Sequence, residues 1–208
     1  MSVVRDKSTA RAEPILDVAP RLLFEAARRA EAMGLVEPGA AIRNDVATVR
    51  HLANRVRRAG IAAAAADEIA NVARPTAAEI AALLEMIVAA LEASPVPKFE
   101  WGGLARVFAP EELAALLNIS ASSLKRYEHG ERATPDRIAA RLHFLALVVG
   151  DLAGSYNDIG IRRWFHRKRT SLDGRAPAAI LVGEWDPDEE GPLRVRALAR
   201  SLTTLTAT

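Results

Sequence analysis

The sequence contains no cysteine, few aromatic residues and no long apolar segment. Without cysteine the chain has no disulfide framework and no zinc or iron–sulfur site built on thiolates. Aromatic residues make up 5% of the 208 residues, whereas alanine, the best helix former, makes up about a fifth of them. Because branched strand-forming residues are scarce by comparison, the composition predicts an all-α protein.

Segments that direct a chain to a membrane are also missing. The longest apolar segment runs from Ile80 to Leu91, is interrupted by Glu85 and is too short to span a bilayer. The first fourteen residues contain no apolar stretch of the signal-peptide type. We therefore expect a cytoplasmic protein with no membrane partner, and the lack of cysteine agrees with a reducing compartment.

The chain offers few residues for catalysis. Its four histidines are scattered, and none belongs to a pair with metal-ligand spacing. No phosphate-binding glycine loop, nucleophile elbow or dinucleotide fingerprint occurs. Glu184, Asp186 and Asp188 are candidate ligands of a divalent cation, but Pro187 and the neighbouring arginines favour a plain acidic loop. The sequence therefore predicts that the protein is not an enzyme and has no catalytic residue, metal site or cofactor.

Basic residues are clustered, although the formal net charge is only +2. The densest basic run is opposed only by Asp173, and an acidic stretch follows it at residues 184–190. The run consists of Arg162, Arg163, Arg167, Lys168, Arg169 and Arg175. Two interpretations stay open: each run is a solvated surface, or the basic run binds phosphate or an acidic partner.

The first fifteen or so residues lack periodicity and are expected to form a loose arm, but apolar residues recur at helical spacing after them. This spacing predicts helices over 19–33, 44–59 and 62–73, with Asn44 as the N-cap of the second. Thr76 and Glu79 have the spacing of a capping box, and the helix behind them carries an apolar stripe suited to a core or a dimer face. The prolines in 94–97 cannot continue that helix, so we place a domain boundary there. Residues 1–95 are thus expected to form an N-terminal helical domain, a candidate for oligomerisation.

Residues 110–130 have the pattern of a helix–turn–helix. Two short helices, over 110–118 and 120–129, would cross at the small residue Ala114. Asn118 occupies the turn, where the backbone is usually left-handed and where asparagine is tolerated next best after glycine. Ser120 is placed to cap the second helix. The inward-facing residues are Leu113, Leu117, Ile119, Leu124 and Tyr127. Because an arbitrary pair of helices does not require this turn, the pattern predicts DNA binding.

A third, longer helix is expected from Pro135 to about Leu152, with Thr134 as its N-cap and Gly154 at its end. Its apolar residues nearly surround it, so it should be well buried. The three helices together define a predicted DNA-binding domain over residues 98–154.

The stretch from Tyr127 to Pro135 resembles the aromatic-Glu-x-Gly-x-Arg-x-Pro signature of Xre/Cro-type helix-turn-helix proteins. The resemblance implies that the recognition helix is about 121–129 and that the protein binds operator DNA as a homodimer. Short polar side chains at such a helix start reach bases or phosphates, and cations add salt-sensitive affinity. The implied DNA-binding residues are Ser120, Ser122, Ser123, Lys125, Arg126 and Arg132.

Residues 155–208 carry a second resemblance, to the toxin-binding domain of the Xre/MbcA/ParS antitoxins. That family has a helix ending in Trp-Phe or Trp-Leu, a loop, Leu-x-Gly-x-x-Pro and a small helix ending in Leu and Gly. The matching residues are Trp164, Phe165, Leu172, Gly174, Pro177, Ile180, Leu181 and Gly183. Arg-Lys-Arg-Thr-Ser replaces the family's Pro-Asn before the Leu, and Glu-Trp-Asp-Pro-Asp follows the small helix. Both resemblances together cover residues 103–202.

The resemblance implies toxin contact in this third predicted domain, and the implied residues are Trp164, Arg167, Lys168, Arg169, Leu172, Pro177, Leu181 and Trp185. The residues alone leave an alternative open. Trp164, Phe165 and Trp185 would also suit a small core packed on the helix over 135–152. Exposed arginines beside aromatic anchors are typical of interfaces, so both interpretations can hold.

The function implied is that of a type II antitoxin, which neutralises a RES-type, NAD-degrading toxin by direct binding and represses its own operon. The alternative is a stand-alone Xre-family transcriptional regulator whose N-terminal domain senses a ligand or mediates oligomerisation. An enzyme of another type is the weakest of the three hypotheses.

Overall fold

The computed structural model describes residues 20–73 and 75–205, without the side chains of 203–205. Over these residues the chain is helical and contains no strand, so the all-α prediction is confirmed. The helices are α1 (Pro20–Ala32), α2 (Val46–Arg58), α3 (Ala63–Asn71), α4 (Ala77–Ala93), α5 (Pro97–Ala105), α6 (Pro110–Leu117), α7 (Ala121–Glu128), α8 (Asp136–Leu152), α9 (Asp158–His166), α10 (Pro177–Ile180) and α11 (Glu190–Leu205), with a 3₁₀ turn at Thr170–Leu172. The predicted loose arm falls on residues 1–19 and lies outside the described part.

Two helix starts show how local side chains fix these elements. At α4, Thr76 Oγ1 accepts from the backbone N–H of Glu79, and Glu79 Oε2 accepts from the backbone N–H of Thr76 at 2.7 Å. The predicted capping box is therefore confirmed. At α2 the predicted cap was one residue off: Asp45, not Asn44, accepts from the backbone N–H of Thr48 at 2.8 Å.

The predicted start of α8 was also wrong by one residue. Pro135 is the N-cap, with an extended backbone, and Asp136 is the first helical residue. Thr134 does not cap the helix because its Oγ1 accepts from the indole N–H of Trp101 at 3.1 Å. This contact belongs to α5, a helix that the sequence analysis did not predict and that begins with Pro97 at its first position.

Helix α8 lies at the centre of the protein. Every residue from Arg141 to Leu152 is buried, and α1, α5, α6 and α11 pack around the helix. The buried apolar residues form one contiguous cluster, which runs from Leu23 in α1 to Ala199 in α11. The helices before residue 94 therefore share their core with α8. The proposed three-domain division stays a prediction about folding units.

Glycines allow α1 to approach its neighbours closely. A Cβ added at Gly103 of α5 would lie 2.2 Å from the carbonyl oxygen of Ala32. A Cβ at Gly150 of α8 would lie 3.2 Å from the Cα of Arg29. The approach at Gly103 therefore requires a residue without a side chain, whereas at Gly150 a side chain would meet a tight contact.

Charged groups are buried where α1, α4, α8 and α11 meet. Arg29, exposed by only 4%, lies 3.0 Å from Glu92 and 3.7 Å from Asp151. Arg196 of α11 lies 2.9 Å from the same Glu92. Burial raises the pKa of Asp151 although the nearby arginines oppose the shift. The cluster ties the first and last described helices to the central one.

A second buried polar pair joins α5 to α8. Glu100 is completely buried, and its Oε1 lies 2.6 Å from Nδ1 of His143. The other ring nitrogen, Nε2, lies 3.0 Å from the carbonyl oxygen of Glu92. Burial raises the pKa of Glu100, and the hydrogen bond with His143 only partly offsets that effect.

Within the described residues, each helix taken singly is too short or too polar to cross a bilayer. Helices α4 and α5 are long and apolar enough only when taken together, and the chain bends by 86° between them.

Candidate functional site

Helices α6 and α7 are joined by a three-residue turn. Asn118 has a left-handed backbone, with φ 53° and ψ 50°, as its position in the pattern predicted. The next backbone N–H, of Ile119, bonds to the carbonyl oxygen of Ala114 at 3.0 Å and closes the end of α6. Ser120 Oγ then accepts from the backbone N–H of Ser123 at 3.1 Å and starts α7. The predicted left-handed backbone of Asn118 and the predicted Ser120 cap are therefore both confirmed.

The inner faces of the two helices pack as the spacing indicated. Leu113, Ala114 and Leu117 of α6 are buried, as are Leu124 and Tyr127 of α7. Helix α7 is therefore fixed on one side and open on the other.

The ring of Tyr127 stacks on Trp101 of α5, with 6.1 Å between the centroids and 20° between the planes. This contact was not predicted, because a lone tryptophan in a segment without an assigned helix does not show which residues it packs against.

The open side of α7 carries the predicted DNA-binding residues. Lys125 and Arg126 are exposed in its last turn, and Arg132 is exposed just beyond it. The backbone N–H of Arg132 bonds to the carbonyl oxygen of Arg126 at 3.2 Å, and its guanidinium lies 5.9 Å from the Tyr127 ring centroid. Three cations are thus gathered at one end of the helix, an arrangement suited to phosphate.

The three serines at the other end of α7 are not equivalent. Ser122 is exposed, Ser123 is half-buried, and Ser120 is exposed but uses its hydroxyl as the cap. Ser120 Oγ also lies 2.9 Å from Ser122 Oγ and 3.0 Å from Ser123 Oγ. Of the predicted set, Ser122 is the serine most accessible to a base edge.

The segment after α10 packs against the end of α6. The indole N–H of Trp185 donates to the carbonyl oxygen of Leu116 at 2.9 Å. Arg141 of α8 donates to the carbonyl oxygens of Trp185 at 2.7 Å and of Leu117 at 3.3 Å, and it is only 1% exposed. Two carbonyls at the C-terminal end of α6 thereby gain donors that the helix itself cannot supply.

Glu184 holds the turn between α6 and α7 from outside. Its Oε1 accepts from Asn118 Nδ2 at 2.7 Å, and its Oε2 forms ion pairs with Arg137 and, at 3.2 Å, with Arg141. Desolvation raises the pKa of Glu184, but the two arginines and Asn118 outweigh it and lower the pKa overall.

Two of the candidate cation ligands, Glu184 and Asp186, contact other groups of the protein. Glu184 is paired with arginines, and Asp186 Oδ1 accepts from the backbone N–H of Asp188 at 3.0 Å. Residues 20–73 and 75–205 contain no group of three or more His, Asp or Glu side chains suited to a metal ion. The contacts of Arg141 were not predicted. In the sequence Arg141 is one charged residue within a nearly continuous apolar stripe, and that pattern does not show which carbonyls the side chain reaches.

All five apolar residues implied in toxin contact are buried. They are Trp164, Leu172, Pro177, Leu181 and Trp185. In this fold they shape the C-terminal region, which is the alternative that the residues themselves left open.

Aromatic contacts join this region to the rest of the protein. Phe165 meets Phe108 edge to face at 4.9 Å, and Trp185 meets Phe144 of α8 at 5.3 Å. The C-terminal aromatic residues therefore pack on the same core as α6 and α8.

The three basic residues of the predicted set differ in exposure. Arg167 and Lys168 are exposed after the end of α9. Arg169 is half-buried, with its guanidinium 5.6 Å from the Trp164 ring centroid and its backbone N–H bonded to the carbonyl oxygen of Arg175 at 3.0 Å. Arg167 and Lys168 are accessible to a partner, whereas Arg169 mainly supports the loop.

Comparison of the chain with models of known families, with curated proteins and with solved structures found no match.

Proposed function

We propose that the protein is an antitoxin of a type II toxin–antitoxin system, which represses its own operon and neutralises a RES-type toxin by direct binding. The observation that supports this most is the α6–turn–α7 segment. Its left-handed Asn118, capping Ser120 and buried Tyr127 leave Ser122, Lys125 and Arg126 on a free helix face.

Operator binding follows from that face. A helix fixed on one side by apolar anchors is rigid enough to enter a major groove with its N-terminal residues foremost. The cations at the other end of α7 would hold phosphates, and Arg132 adds a third. A homodimer would place two such helices about one DNA turn apart, so the operator should be roughly palindromic.

Toxin binding is assigned to the region after residue 155 by resemblance, and the exposed Arg167 and Lys168 support it physically. Arginine is enriched at protein interfaces, where its planar group forms several hydrogen bonds at once. The buried residues of the resemblance motif contribute by holding this surface in place.

The alternative is a stand-alone Xre-family regulator. It is favoured by one observation: α1–α4 pack on one another outside the region of resemblance, and α1 joins them to α8. These four helices would suit a sensing or oligomerisation role.

Co-expression with a RES-type toxin, taken from the neighbouring gene if that gene encodes one, tests the proposal. The expected result is a co-purifying complex, restored growth and a shifted operator fragment. Operator binding without any toxin complex would favour the stand-alone regulator. A chain that neither shifts its upstream DNA nor restores growth would contradict both functions.

A further inference from the structure

Helix α9 has two stripes of opposite character. Its inner stripe, with Ile161, Trp164 and Phe165 at helical spacing, is buried in the core. Its outer stripe is exposed and has the i, i+3, i+4, i+7 spacing of a continuous helix face. The outer stripe consists of Ile159, Arg162, Arg163 and His166.

The outer stripe is held rigidly. Asn157 caps the helix by accepting from the backbone N–H of Gly160 at 2.9 Å. On the opposite side, the buried rings of Trp164 and Phe165 meet edge to face, with 5.3 Å between their centroids. A partner that binds the stripe would therefore lose little free energy in ordering the helix backbone.

Among the described residues, the arginines of this stripe and Arg167, directly after it, have no counter-charge paired with them. Within the described part of the chain, the guanidiniums of Arg162, Arg163 and Arg167 form neither a hydrogen bond nor an ion pair with another residue. Like charges gathered on one face repel each other, and an anionic partner would relieve that repulsion. His166 differs, because its Nε2 lies 2.6 Å from Oε1 of Glu112 in α6.

These residues line a groove of about 550 Å³. Ile159 lies in the same groove and is 57% exposed, one of the large apolar side chains most open to solvent. The groove thus combines positive charge with an uncovered apolar side chain.

We propose that the outer stripe of α9 is a docking site for an acidic protein segment that also carries an apolar side chain. Carboxylates of the segment would pair with Arg162, Arg163 and Arg167, and its apolar side chain would cover Ile159. The proposal shares Arg167 with the toxin-contact residues named above and adds Ile159, Arg162 and Arg163, and it does not depend on which protein supplies the segment.

The composition of the stripe favours a protein over a nucleic acid. A duplex backbone offers phosphates but no apolar group to cover Ile159. A protein segment supplies both carboxylates and an apolar side chain.

The test uses the full chain and three fluorescent probes: a glutamate-rich peptide with one central leucine, the same peptide with serine in place of leucine, and a duplex DNA of unrelated sequence. Binding is measured by anisotropy for the wild type, for Ile159→Ser and for Arg162→Glu/Arg163→Glu/Arg167→Glu. The charge-matched control changes three exposed arginines elsewhere, Arg21→Glu/Arg43→Glu/Arg58→Glu. Circular dichroism checks that each variant keeps its helices.

The α9 triple variant should bind the leucine peptide about tenfold or more weakly than the control variant. The wild type should prefer the leucine peptide several-fold over the serine peptide, and Ile159→Ser should abolish that preference. Equal binding by the two triple variants, or a preference that survives Ile159→Ser, would overturn the proposal. The proposal would also be overturned if duplex DNA displaced the peptide and if DNA binding depended on the same three arginines. None of these outcomes alters the growth test of the proposed function.

Discussion

Trp185, close to the start of the last helix, donates its indole N–H to the backbone carbonyl of Leu116, at the end of the helix before the turn. The two residues are 69 positions apart in sequence. Arg141 completes the contact from the central helix by donating to the carbonyls of Trp185 and Leu117. The helix pair and the C-terminal region are therefore packed on each other, and a change in one reaches the other through these hydrogen bonds.

Trp185→Phe should lower the free energy of unfolding by about 1–2 kcal/mol beyond the loss of packing, because the buried carbonyl of Leu116 loses its donor. Trp164→Phe is the matched control. It removes an indole of equal size whose N–H has no acceptor among the described residues. Denaturant unfolding of the two variants measures the difference. Equal destabilisation would show that the Trp185–Leu116 hydrogen bond contributes nothing.

Lys125→Ala/Arg126→Ala should weaken operator binding and lower the slope of log affinity against log salt by about 2, since each phosphate contact contributes about 0.9. Mobility-shift titrations at several salt concentrations give both quantities. Arg43→Ala/Arg58→Ala, which removes two exposed charges from the α2 region, should leave the slope unchanged. An unaltered slope in the α7 variant would remove this helix face from the DNA interface.

Arg167→Ser/Lys168→Ser should abolish protection from a co-expressed RES-type toxin while operator binding persists. Arg169 is left intact, because its guanidinium packs on Trp164 and its loss would disturb the loop. Growth on toxin induction and a mobility shift are the two measurements, with Arg43→Ser/Arg58→Ser as the charge-matched control. Full protection by Arg167→Ser/Lys168→Ser would show that the toxin contacts other residues.

Glu100→Gln should flatten the pH dependence of stability. Burial raises the pKa of Glu100 above its ordinary value of 4.5, so the folded state holds this proton more tightly than the unfolded state. The wild type should accordingly lose stability as pH rises from about 4.5 through the raised pKa of the folded state. Urea unfolding of both proteins across that range gives the difference, and parallel curves would contradict the raised pKa. Asp151 is buried in both proteins, so its contribution to the pH dependence of stability is the same in both and does not affect the difference.

The sequence by itself determined the local structure of this protein. Helical spacing, the Thr76–Glu79 capping box and the Asn118–Ser120 turn depend on neighbours a few residues apart, and each matches the structure. The small errors, at Asn44 and Thr134, arose where two adjacent polar residues compete for one cap or where a distant side chain takes the hydroxyl.

Tertiary structure alone decided which side chains of the candidate sites are accessible. The sequence grouped Trp164, Trp185, Arg167 and Arg169 in one toxin-binding set, but the fold buries the two tryptophans and packs Arg169 on one of them. It also paired Glu184 with Arg137 and Arg141, and among the described residues it left Arg162 and Arg163 of the outer stripe without an ion pair. The contacts of Glu184 and Trp185 join residues 40 to 70 positions apart. Periodicity identifies the face of a helix that is apolar, but only the packed chain determines what covers it.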